Sequence, residues 1–304
     1  MNSNWIKKGV ILLPKKKIWW QKSHIMLPTV EHLEGDNFRI YFSGRDKFNR
    51  SIIGYADSIV KDGSIKIKRY EENPILTCGK LGTFDDNGVT PSCIINNNGV
   101  KFLYYIGWNS GSTTRMGLIA GLAISKDNGK TFLRNSFAPL LDRTNLEPYS
   151  ILTAPFVIKE QKIWRMYYVS CEGWLNKDLP IYNIKYAESI NGINWKRNGH
   201  VCIDFKSKEE TALARPCVIK EGKLYKMWYS YKDPKIGYRI GYAESSDGLK
   251  WKRIDDNEGL GVSKEGWDSD MVEYSYVFAH KNIKYMLYNG NNYGGNGAGY
   301  AVHK

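Results

Sequence analysis

Apolar positions along this chain fall in short runs broken by Gly, Asn and Asp, with almost no recurrence at the three-and-four spacing of an amphipathic helix. Such blocks predict strands. The strongest are five aromatic-rich segments, Phe38-Arg-Ile-Tyr-Phe42, Phe102-Leu-Tyr-Tyr105, Trp164-Arg-Met-Tyr-Tyr168, Tyr225-Lys-Met-Trp-Tyr229 and Tyr285-Met-Leu-Tyr288. Each follows another apolar run across a short turn. Gly35-Asp36, Asn98-Gly99 and Glu221-Gly222 mark those turns, and such dipeptides favour tight hairpins because Gly and Asn accept a positive φ.

The runs that precede these turns repeat. Pro28-Thr-Val, Pro91-Ser-Cys-Ile-Ile, Pro155-Phe-Val-Ile-Lys-Glu, Pro216-Cys-Val-Ile-Lys-Glu and Ser275-Tyr-Val-Phe-Ala are separated by 63, 64, 61 and 59 positions. A third strand is marked by Gly54-Tyr-Ala56, Gly121-Leu-Ala123, Lys185-Tyr-Ala187, Gly241-Tyr-Ala243 and Gly299-Tyr-Ala301, and a fourth by segments such as Trp195-Lys-Arg197 and Trp251-Lys-Arg253. Four antiparallel strands repeated five times predict an all-β chain, a five-bladed β-propeller forming a single domain over residues 1–304. An open β-sandwich does not explain so regular a period. The last unit lacks a fourth strand, and Trp5-Ile-Lys-Lys8 resembles the fourth-strand segments, so residues 5–13 are expected to pair with the last blade and close the ring.

Composition narrows the function classes. Lys and Arg number 44 against 31 Asp and Glu, a formal charge of +13, which admits a polyanionic partner or an anionic substrate. There is no Arg-rich helix or RNA-binding motif, and nucleic acid is not expected as a partner. No apolar run approaches the roughly 18 residues that cross a bilayer. The N-terminal stretch lacks the apolar core of a secretory signal, and five cysteines without a CxxC pair fit a reducing compartment, so a cytoplasmic location is expected. P-loop, dinucleotide-binding, HExxH and GxSxG signatures are absent. No cofactor is expected, and no oxygen-rich loop predicts calcium.

In an antiparallel blade the start of the first strand, the end of the second and the start of the third share one end, which surrounds one mouth of the central channel. The residues read there are His24; Asp85 and Asp86; Tyr149; Glu209, Glu210 and Arg215; and Asp268, Asp270 and Glu273. Second-strand ends and third-strand starts add Arg45, Arg50, Trp108, Arg115, Glu172, Trp174 and Asn291. Tryptophan faces stack on sugar C–H surfaces, and Asn, Asp and Arg fix hydroxyls in direction, so this set is expected to bind carbohydrate.

Phe84-Asp-Asp-Asn-Gly-Val-Thr-Pro91, Thr153-Ala-Pro155, Ala214-Arg-Pro216 and the repeated Met-Tyr-Tyr or Met-Trp-Tyr strand resemble the superfamily of five-bladed propeller glycosidases. That superfamily includes arabinanase, β-xylosidase, invertase and levanase types and the mannoside phosphorylases. The resemblance implies a glycan-acting enzyme whose acids, drawn from different blades, share one funnel. Glycosidases hold such carboxyls about 5–5.5 Å apart for retention or about 6.5–9.5 Å for inversion. Many members begin with a catalytic Asp where this chain has Ser23-His24, so the resemblance moves the acids to blades two, four and five. Asp86 or Asp85 is then one catalytic partner, Glu210 or Glu209 the general acid, and Asp270 or Glu273 the third carboxylate. Arg215 and His24 hold hydroxyls or an anionic group. The mannoside phosphorylases imply a second reading, in which Arg45, Arg50 and Arg115 seat inorganic phosphate or a phosphorylated substrate. A third reading is a noncatalytic carbohydrate-binding propeller.

Overall fold

The computed structural model describes residues 4–303; residues 1–3 and 304, the extreme ends of the expected domain, lie outside the described residues. The chain is all-β, and helix is confined to α1 (Asp255–Glu258) and α2 (Asn291–Gly294).

An N-terminal strand β1 (Trp5–Leu12) precedes four consecutive antiparallel groups. The first is β2 (Ser23–Glu34), β3 (Asn37–Arg45), β4 (Ser51–Lys61) and β5 (Ser64–Tyr70). The second is β6 (Gly88–Asn97), β7 (Val100–Ser110), β8 (Met116–Ser125) and β9 (Leu133–Arg134). The third is β10 (Ile151–Glu160), β11 (Ile163–Asn176), β12 (Leu179–Ser189) and β13 (Val201–Ile203). The fourth is β14 (Ala212–Glu221), β15 (Leu224–Asp233), β16 (Gly237–Ser245) and β17 (Lys252–Arg253). Last come β18 (Glu273–His280), β19 (Ile283–Asn289) and β20 (Ala298–His303), with β1 lying antiparallel to β20 from Trp5↔His303 to Leu12↔Ala298. The segment Trp195-Lys-Arg197 contributes only a single bridge, Glu188↔Lys196, and the fourth strand of its group is Val201–Ile203.

Among the first strands of the groups, β2 touches β6, β6 touches β10, β10 touches β14, β14 touches β18 and β18 touches β2. These contacts run around a common centre. The aromatic second strands pack against this inner circuit, with Tyr104, Tyr105, Tyr167, Tyr168, Tyr229 and Tyr288 fully buried. Glycine in the third-strand mark has a steric cause: a Cβ at Gly121 would collide with the Tyr105 ring, and one at Gly241 with Tyr229 and Asp255.

The repeated proline also has a local cause. Register shifts interrupt each first strand at Met26/Thr29, Pro91/Cys93, Thr153/Phe156, Ala214/Cys217 and Glu273/Tyr276. A bulge leaves one residue outside the ladder, so a proline placed there sacrifices no strand hydrogen bond. Leu27, Ala154, Arg215 and Tyr274 adopt positive φ at these bulges. The kink turns their side chains, with that of Thr90, toward one cavity.

Candidate functional site

Several acids at the mouth are held within the strand groups, whereas Arg45, Arg115, Arg215 and Lys232 line a cavity. Asp85, completely buried, accepts hydrogen bonds from the Tyr105 hydroxyl at 2.9 Å and from Arg134 Nε at 2.7 Å. Asp268 is held in the same way, by the Tyr288 hydroxyl at 3.0 Å and Lys7 Nζ at 2.7 Å. Two acids outside the predicted set complete the pattern. Glu147 meets Tyr168 at 2.8 Å and Arg197 at 2.7 Å, and Asp255 meets Tyr229 at 2.5 Å and Arg253 at 3.0 Å. Burial, reinforced by the facing carboxylates, raises the pKa of all four tyrosines, so they remain hydroxyl donors at neutral pH. In the first group aromatic side chains occupy the corresponding places: Phe42 stacks on Trp20 with ring centroids 5.7 Å apart and meets Tyr70 at 6.4 Å.

The remaining predicted acids have other surroundings. Glu210 is gripped by Arg253 at 2.7 and 2.9 Å and also accepts the Lys206 amide at 2.8 Å. Glu209 and Asp270 are exposed. Asp86 accepts the Gly82 amide at 2.8 Å and Asn109 Nδ2 at 2.9 Å, which places it directly behind a cavity wall. Glu172 pairs with Lys185 at 2.8 Å, and Arg50 with Asp46 at 2.8 Å. Asn291 secures its own loop by accepting the Asp270 and Met271 amides at 2.9 and 3.2 Å. Tyr149 is exposed, and Trp174 packs in an apolar cluster with Leu27 and Ile106.

Glu273 is different. Its carboxyl is fully buried and neither oxygen has a well-formed hydrogen bond. Burial holds its pKa well above the usual carboxyl range against the opposing pull of Lys232 and Tyr274. Its charge would act on Tyr182, Tyr238 and Tyr274, all of which line the cavity.

The cavity has two joined lobes. A polar lobe of about 260 Å³ is lined by Asn49, Ser51, Asn87, Asn109 and Ser110. A second lobe of about 240 Å³ is largely apolar and aromatic and carries Arg215 and Lys232. Met26, Arg45, Trp108, Arg115 and Met116 line both. Of the predicted site residues the structure therefore brings together Arg45, Trp108, Arg115 and Arg215. Sequence reasoning missed Lys232, Tyr182 and Tyr238, although they stand at a second-strand end and two third-strand starts, where the same topological rule would have found them.

Electrostatically the cavity is cationic. Among the described residues, Arg45, Arg115, Arg215 and Lys232 have no carboxylate at ion-pair distance, and Asp178 is the single acid in the lining. Burial lowers the Arg45 pKa, and the like charge of Arg115 adds to the drop. Arg215 is pulled down to about 10 by burial, while its guanidinium donates to the Pro91 and Pro28 carbonyls at 3.2 Å each and to Thr29 Oγ1 at 2.9 Å. His24, hydrogen-bonded to Ser23 through Nδ1 at 2.8 Å, is pushed to about 4 by burial and by Arg45, so it is neutral at physiological pH. Trp108 Nε1, Thr153 Oγ1, Thr211 Oγ1 and Arg215 Nε are buried without a hydrogen-bond partner, although their residues line the cavity. Groups buried in this way without a partner are costly to fold. Among the described residues no group of three His, Cys, Asp or Glu side chains is arranged to hold a metal.

No family model matches the chain. It is 26% identical over 176 residues to a 1,2-beta-oligomannan phosphorylase of Thermoanaerobacter sp. (strain X514), covering 56% of this chain and 57% of that protein. Solved structures with the same fold include a glycosyl hydrolase from Bacteroides ovatus, with a TM-score of 0.71 at 16% identity over 98% of this chain and 89% of that one. A thermostable family-43 glycoside hydrolase gives a TM-score of 0.67 at 20% identity, over 92% and 88% of the chains. A structure from the GH130 family of mannoside phosphorylases gives 0.69 at 16% identity, over 98% and 89%. The chain thus has the fold of the propeller glycosidase superfamily. It is also 41% identical over 302 residues to the uncharacterized protein MT1551 of Mycobacterium tuberculosis (strain CDC 1551 / Oshkosh) and 40% identical over 302 residues to Rv1502 of strain H37Rv, covering 98% of every chain compared. At that identity and coverage, the chain belongs to the same family as these two mycobacterial proteins.

Proposed function

We propose that the protein is a carbohydrate-active enzyme of the phosphorylase type, a single five-bladed propeller domain closed by its N-terminal strand, using inorganic phosphate in place of water. The observation that carries this reading is the charge of the cavity: Arg45, Arg115, Arg215 and Lys232 face a lining with one carboxylate, Asp178. A hydrolase needs two carboxyls at the scissile bond, whereas phosphorolysis needs one proton donor and a seat for a dianion. In this reading Arg45 and Arg115 hold phosphate between the lobes, Trp108 stacks on the sugar, and Asn87 and Asn109 bind its hydroxyls. A phosphate oxygen bonds to the anomeric carbon as the glycosidic C–O bond breaks, and the departing oxygen takes up a proton, for which Asp178, exposed at the turn between β11 and β12, is the one acid in the lining. The products are a sugar 1-phosphate and a free hydroxyl compound.

The partial likeness to an oligomannan phosphorylase supports β-1,2-linked mannosides as the first substrates to try. The test is to incubate β-1,2-oligomannan with and without inorganic phosphate and identify the products. Phosphate-dependent release of mannose 1-phosphate, abolished in Asp178→Asn, is the expected result. Free mannose released at the same rate without phosphate would overturn it. Phosphate as co-substrate also fits the cytoplasmic location proposed for the chain; no helix among the described residues is long and apolar enough to cross a membrane.

A second reading, a noncatalytic carbohydrate-binding propeller, is favoured by one observation. The five equivalent bulge positions facing the cavity carry Leu27, Thr90, Ala154, Arg215 and Tyr274, none of them a carboxylate. This reading predicts saturable glycan binding without turnover, in phosphate or in water.

A further inference from the structure

The two lobes differ in chemistry far more than two sugar subsites would. Amide and hydroxyl side chains dominate the first, matching the alternating donors and acceptors of a pyranose. The second is lined by Leu118, Ile151 and Val169 together with Tyr182, Tyr238 and Tyr274. These residues belong to two small apolar clusters separate from the main core. The Tyr182 and Tyr238 hydroxyls are 2.6 Å apart and share one hydrogen bond, which uses one of their two O–H donors. A sugar hydroxyl turned toward Leu118, Ile151 or Val169 would lose its water without a replacement.

We propose that this second lobe receives an apolar, ring-sized aglycone in preference to a second sugar, so that a mannoside of an apolar alcohol or phenol is a better substrate than a β-1,2-oligomannan. The inference rests on the phosphorylase reading for the order of the parts: sugar in the polar lobe, phosphate at the Arg45–Arg115 junction, aglycone beyond it. The size fits. At about 30 Å³ per water molecule, a lobe of about 240 Å³ displaces roughly eight waters, the bulk of one substituted six-membered ring.

Calorimetric titration of the full chain with three probes, p-nitrophenol, mannose and inorganic phosphate, tests the inference. p-Nitrophenol is expected to bind saturably and without competition from mannose. Ala214→Phe, which fills the lobe, and Leu118→Asn, which makes its wall polar, should each weaken p-nitrophenol at least tenfold while leaving phosphate affinity within twofold. Thermal melts of both variants establish that they fold, and two positions on different strands guard against a local packing defect. Failure of p-nitrophenol to bind, or undiminished binding by both lobe variants, overturns the aglycone assignment. Failure of phosphate to bind the unmodified protein overturns the phosphorylase reading instead, so the two failures are separately visible.

Discussion

The staples inside the strand groups and the cavity between them treat charge in opposite ways. Asp85, Glu147, Asp255 and Asp268 are each clamped between a tyrosine hydroxyl and a cation, deep inside a group and away from the cavity lining. In the cavity, Arg45, Arg115, Arg215 and Lys232 face a lining with one acid. Paired buried charges have their partners already supplied, whereas cations without a carboxylate at ion-pair distance leave positive charge at the cavity. A carboxylate near a propeller mouth is therefore not a catalytic group by position alone. What separates the two roles is whether its partners are already supplied by its own strand group.

Removing a staple should have the largest consequence. Asp85→Ala leaves Arg134 and the Tyr105 hydroxyl without their acceptor, and breaking one partner of a buried pair costs about 3–5 kcal/mol. At roughly 2 °C per kcal/mol for a chain of this size, the melting temperature should fall by about 6–10 °C. An unchanged melting curve would remove the structural role assigned to the staple.

From the cavity side the effect should appear in affinity and leave folding intact. Arg45→Gln removes a charged hydrogen-bond donor, worth about 1.5–3 kcal/mol. Phosphate binding measured by calorimetry should weaken about tenfold or more with little change in melting temperature. Equal weakening by a remote Lys→Gln substitution would indicate nonspecific charge attraction.

A pH-dependent effect is expected at Glu273, the buried acid without a staple. Its folded pKa is raised above its usual value of 4.5, so the folded state holds the proton more tightly than the unfolded one. Stability from this group is complete below about pH 4.5 and is lost as pH rises toward the raised pKa, at up to about 1.4 kcal/mol per pH unit. Glu273→Gln cannot ionise, so its melting temperature should exceed that of the unmodified protein by a margin that widens from pH 5 to pH 8. A constant margin would show that Glu273 does not titrate differently on folding.

The least effect belongs to Arg50. Its pairing with Asp46 is partly exposed, and such pairs contribute about 0–1 kcal/mol. Arg50→Ala should leave both melting temperature and phosphate affinity nearly unchanged.

The same contrast explains how much can be read from the chain alone. Strand blocks, hairpin turns and the pairing of β1 with β20 are legible because they depend on local periodicity and turn chemistry. Asn98-Gly99, for example, adopts the two positive φ values that a tight hairpin asks for. The fourth strand of the third group escapes the Trp-Lys-Arg mark because only Lys196 of that segment forms a bridge, yet Arg197 still reaches Glu147. Side-chain direction is not legible. Asp85 and Asp86 are neighbours in sequence, but one enters a staple and the other hydrogen-bonds the cavity residue Asn109. A bulge decides the same question for Arg215, whose positive φ turns a strand residue into the channel. Lys232, Tyr182 and Tyr238 carry no motif; their position on the sheet alone brings them to the cavity.

If the cavity is built to seat an anion between its lobes, a crystal structure with inorganic phosphate should reveal it. The expected result is phosphate held by the Arg45 and Arg115 guanidinium groups, beside Trp108, with every staple unchanged. Phosphate absent from that junction at saturating concentration, or bound only to surface lysines, would contradict it.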